Sequence, residues 1–109
     1  MKTIWKYPLI GKGTVIETVV NPRGDESTSW KTAILLPLKS KILYVGHDQV
    51  APCLWVEVDT EHVPEPHVFQ VIGTGHPIPE NGTYLGTTTG GEWTKFPGRV
   101  LVWHVYEVH

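Results

Sequence analysis

Residues 99–108 read RVLVWHVYEV, and the alternation inside this stretch decides how the chain must fold. Successive side chains of an extended strand point to opposite faces. Leu101, Trp103 and Val105 then share one face, while Val100, Val102, His104, Tyr106 and Val108 share the other, so both faces are largely apolar. Such a strand belongs in the middle of a sheet with cover on both sides, or against a second subunit. A symmetric oligomer meets that need, and a sandwich or small barrel that hides both faces internally meets it as well.

The rest of the chain agrees with a β fold. Few segments carry an i, i+3, i+4 apolar pattern over helical length, whereas Val, Ile, Thr, Tyr and Trp are frequent and turn residues recur about every ten positions. Strands are expected at 2–9, 13–20, 28–36, 41–47, 51–59, 67–74, 83–88 and 99–108. Between them lie NPRGDES, HDQVA, TEHVPEP and NG, rich in residues that fix a turn or permit positive φ. Asn81-Gly82 is the sharpest local hairpin signal. In KTIWKYPL, Thr3, Trp5 and Tyr7 share one face and Lys2, Ile4 and Lys6 the other, which suits a strand with one face in water. The expected architecture is all-β in a single domain over residues 1–109: a small antiparallel sandwich or partly closed barrel with an extra β-hairpin, oligomeric.

Composition narrows the function. The chain has 109 residues, 40% of them apolar and 18% charged, with a formal charge of -2. It lacks the broad basic field that non-specific DNA binding needs. No stretch approaches the roughly 18 apolar residues of a membrane span, and MKTIWKYPLIGKG reads as a first strand rather than a secretion signal. Cys53 is the single cysteine, which excludes an internal disulfide and a thiolate metal cluster and points to a reducing cytosol.

The richest candidate for a site is IGTGHPIPENG, residues 72–82. Gly73 and Gly75 can adopt positive φ and turn successive N–H groups toward one point, a nest that binds phosphate or carboxylate. Thr74 adds a hydroxyl and His76 an imidazole, whose direction Pro77 restricts. The alternative is a strand end that bulges and turns, needing glycine for its backbone alone. Trp93 beside Lys95, with Arg99 nearby, offers an aromatic plane and cations that suit a base and its phosphate; a hydrophobic clamp closing a loop is the other reading. His104, inside VWHVY, is a satisfied sheet histidine or a pocket donor. The candidate ligand-binding set is therefore Gly73, Thr74, Gly75, His76, Trp93, Lys95, Arg99 and His104.

Catalytic signatures are missing. The six histidines show no H-x-H or H-E-x-x-H pair, so neither a metal site nor a cofactor is expected. Cys53 lies between Pro52 and Leu54 in an apolar strand, where a thiol stays protonated. There is no G-x-S-x-G and no H-x-[ST]. Glu57/Asp59 and Asp25/Glu26 read as solvated faces. Arg23-Gly24-Asp25 and Asn81-Gly82-Thr83 read as turns.

Five fragments taken together, MKTIWKYPL, VAPCLWVEVD, FQVIGTGHPI, TYLGT and LVWHVYEV, resemble a family of small uncharacterised phage and prophage proteins, a domain of unknown function. The resemblance spans most of the chain. Two stretches depart from the family pattern: an inserted hairpin at about 11–36 and an inserted loop at about 90–98. The resemblance brings no established chemistry, but it implies a phage-type protein. Joined to the site residues, it sets the leading expectation: a non-enzymatic protein that sequesters a small anionic ligand, a nucleotide-derived immune signal such as a cyclic dinucleotide or an ADP-ribose-type molecule. The competing expectations are a protein–protein inhibitor of a host defence protein or a virion accessory protein, and a hydrolase of the same signal.

Overall fold

The computed structural model describes residues 1–11, 13–20, 22–24, 26–90 and 101–109. They form eight strands: β1 (Lys2–Pro8), β2 (Val15–Val20), β3 (Glu26–Pro37), β4 (Lys41–His47), β5 (Pro52–Asp59), β6 (Pro64–Gly73), β7 (Gly82–Gly90) and β8 (Leu101–Val108). The described residues include no helix. Two antiparallel sheets result, a three-stranded one in the order β1-β5-β4 and a five-stranded one in the order β2-β3-β6-β8-β7.

Period-2 patterning explains the stacking. Leu54, Val56 and Val58 of β5 point to one face and are fully buried, opposite Trp30 and Leu36 of β3, Phe69 and Val71 of β6, and Trp103 and Val105 of β8. Each such side chain contributes roughly 1.5–3 kcal/mol by leaving water. Trp30 and Trp103 meet edge to face at 4.7 Å, the geometry that aromatic quadrupoles favour. The sheets draw together along β4 and β7, where Gly86 abuts Val45. No ladder joins these two strands, so the partly closed barrel is corrected to two separate sheets.

β8 lies between β6 and β7 as its two-sided apolar pattern requires, with Trp103 and Val105 in the core on one face, while on the other Val102 is exposed and Tyr106 and Val108 are half-buried. One further expectation is revised. Asn81-Gly82 does not form a tight hairpin, since β7 pairs with β8 and not with β6. The early start of β6 also has a local cause. Pro64 and Pro66 lie beyond the last β6–β8 pair, Val68 with Val108, where a missing N–H removes no bond on that edge.

A candidate ligand site beneath a crossover

Because β8 runs antiparallel to both β6 and β7, those two strands are parallel to each other. β6 ends at Gly73, whereas β7 begins level with Val68, both Gly82 and Val68 pairing with Val108. The connecting residues 74–81 must therefore travel back roughly 17 Å along the strands and roughly 10 Å across them. That displacement is about 20 Å, and the nine Cα steps from Gly73 to Gly82 reach up to roughly 30 Å, so the segment has length to spare for a turn as it crosses the outer face of the five-stranded sheet. That crossing accounts for the burial of Ser29, Gln70 and Ile72, which point away from the core.

The crossover begins with a β-turn. His76 N donates to Gly73 O at 3.1 Å, and Gly75 at the third position has φ 96°, which a type II turn demands. Gly73 is outside the left-handed region and lies against the Trp103 indole, where a Cβ would come within 3.3 Å of Cζ3. The expected nest built on two positive-φ glycines is thus corrected: one glycine adopts that conformation, and the His76 amide is used inside the turn.

The structure divides the candidate residues into two groups. The His76 side chain is 2% exposed and faces the β2–β3 hairpin, with Nδ1 3.2 Å from Ser27 Oγ and Nε2 3.6 Å from Glu17 Oε1. Thr74 turns the other way. Its hydroxyl lies 2.9 Å from His104 Nε2, and Thr87 Oγ1 lies 2.9 Å from His104 Nδ1 and hydrogen-bonds the Tyr84 hydroxyl in turn. A neutral imidazole has one donor and one acceptor nitrogen, so one threonine must accept and the other donate. Trp93, Lys95 and Arg99, with the inserted loop, lie outside the described residues.

Between the crossover and the sheet runs a groove of about 360 Å³. Its floor is Lys31, Gln70 and Val108; its walls carry Glu17, His76 to Asn81, and His109. Lys31, Gln70, Glu17 and His109 were not among the sequence candidates. Lys31 is the one cation in SWKTAILL and alternates with the buried Trp30, so its outward direction was legible; its neighbours across the sheet were not.

Other polar groups have structural work. Asp48 Oδ1 accepts from Val50 N at 2.7 Å and Ala51 N at 2.8 Å, and Oδ2 pairs with Lys6 Nζ at 3.1 Å. These backbone amides, and then Lys6, hold its carboxyl well below the usual carboxylate range. Burial, followed by the neighbouring Asp48, pushes the Cys53 thiol up to about 11. Among the described residues no group of three His, Cys, Asp or Glu is placed to hold a metal ion, and no helix is long and apolar enough to cross a membrane.

Two antiparallel sheets with a crossover roofing a polar groove define the chain as an all-β domain with a candidate binding site. Residues 1–109 match the profile of a family described as Domain of unknown function (DUF7352). The chain belongs to that family. No curated protein and no solved structure matches it.

Proposed function

We propose that this protein is a non-enzymatic binding protein whose crossover groove holds a small anionic ligand. The observation that carries the reading is Lys31 beside the buried Gln70 amide on the groove floor. The volume, about 360 Å³, falls in the range of small-molecule sites. Lys31 supplies charge for phosphate, and the Gln70 amide, whose Nε2 donates to Ser29 Oγ at 3.3 Å, sets a fixed polar group beside it. Glu17 and Glu80 on the walls select against a bare polyanion and favour an anion that also carries hydroxyl or amine donors. A ribose-bearing phosphate has that mixture. A nucleotide-derived signal, held by a phage-type protein as a sponge, is the role proposed.

The test is calorimetric titration of the purified chain with ADP-ribose and with cyclic dinucleotides, followed by denaturation and mass spectrometry of the released ligand. The reading predicts saturable binding and recovery of the ligand intact. Recovery of a cleaved product favours the hydrolase, and silence across both ligand classes removes the proposal.

A further inference from the structure

The two sheets have four edge strands, β1, β4, β2 and β7, and three of them carry features that discourage pairing with another chain. β1 presents Lys2, Lys6 and Pro8; β4 carries Lys41 and a bulge between Ile42 and Tyr44; β7 has a bulge between Tyr84 and Gly86 and is flanked by β4. β2 has none of these. It reads VIETVV, with no proline, no glycine, no bulge and a single charge, Glu17. Among the described residues no strand pairs with its free edge.

β2 also overhangs the smaller sheet. Ile16 pairs with the buried core residue Trp30 and so shares its face, yet Ile16 is 69% exposed and Val20, on the same face, 60% exposed. A free ladder edge and an uncovered apolar face thus coincide on one strand.

The sequence of β2 identifies the occupant. The geometry points to a second copy of this chain, joined β2 to β2 in antiparallel fashion about a two-fold axis, so that two five-stranded sheets become one of ten. An axis normal to the sheet must set one residue opposite its own copy. Centred on Glu17, it would oppose two carboxylates; centred on Val19, it would carry Ile16 past the end of the partner strand. Centred on Thr18, it sets Thr18 opposite Thr18, Ile16 opposite Val20 and Glu17 opposite Val19. The apolar pairs then close over the overhang and like charges stay apart. This inference stands whether or not the groove binds a ligand: the groove meets β2 at Glu17 on the outer face, whereas the dimer uses that strand's free edge together with Ile16 and Val20 on the other face.

Sedimentation of the full chain at about 100 µM, with Ile16→Lys and Val20→Lys as variants, tests the surface. The expected result is a dimer, and at least a tenfold weaker association in each variant, with unchanged circular dichroism. Thr18→Cys tests the register independently, since Cα atoms facing across such an axis fall within disulfide reach. Mild oxidation should cross-link Thr18→Cys and not Glu17→Cys, while the native Cys53 is buried. A monomer at that concentration, a dimer that survives both lysines, or preferential cross-linking at position 17 overturns the proposal.

Discussion

His67 of β6 lies across the ladder from β8 with its Nδ1 2.8 Å from Glu107 Oε2, and its Nε2 is 3.0 Å from Glu65 Oε1 on its own strand. Burial is the largest single influence on this imidazole and opposes its charge, but the Glu107 and Glu65 carboxylates together outweigh it and raise the pKa. A histidine raised on folding stabilises the fold fully below the ordinary imidazole value of about 6.5, and that contribution disappears as pH climbs through the raised value. Urea unfolding should therefore show stability falling from mildly acidic to mildly alkaline pH. Glu107→Gln should flatten that slope; an unchanged slope would show that the pair does not govern it.

Gly75 sits at φ 96°, where a side chain is strained whatever space surrounds it. Gly75→Ala should lower stability by about 1 kcal/mol, and Gly75→Asn by less, because Asn tolerates positive φ better. Paired thermal melts check the order, and equal melting temperatures for all three would contradict the turn.

The Cys53 thiol, fully buried and pushed up to about 11, should resist thiol–disulfide exchange in the folded chain at pH 8. Labelling with an aromatic disulfide reagent, read by absorbance, should proceed only through unfolding and accelerate with denaturant. Rapid stoichiometric labelling without denaturant would place the thiol at the surface.

Leu54 is fully buried between the sheets. Leu54→Ala should cost roughly 2–5 kcal/mol by cavity formation, whereas Leu35→Ala, on the exposed side of β3, should cost less than about 0.5 kcal/mol. Denaturation midpoints of the two variants measure the difference.

Most of the fold was legible in alternation alone. Thr3, Trp5 and Tyr7 pair with Val58, Val56 and Leu54, the inward positions of β5, as the first strand's pattern requires. What alternation does not encode is which strand lies beside which. Asn81-Gly82 satisfies the local chemistry of a hairpin, but the apolar two-sided β8 inserts between β6 and β7 and converts the connection into a crossover. The groove was hidden for the same reason: Lys31, Gln70 and His109 are far apart in sequence, and only the register together with the crossover gathers them. His76 was legible because Gly75 and Pro77 frame it, although its burial against Ser27 was not.

The central claim is that the groove under residues 74–81 is the binding site, and amide chemical-shift mapping during titration with ADP-ribose tests it most directly. The account predicts shifts gathered at Lys31, Gln70, His76 and Asn81 that saturate with ligand, and an affinity at least tenfold weaker in Lys31→Ala, the scale of one lost charged hydrogen bond. Shifts confined to another face, or binding that Lys31→Ala leaves untouched, would contradict it.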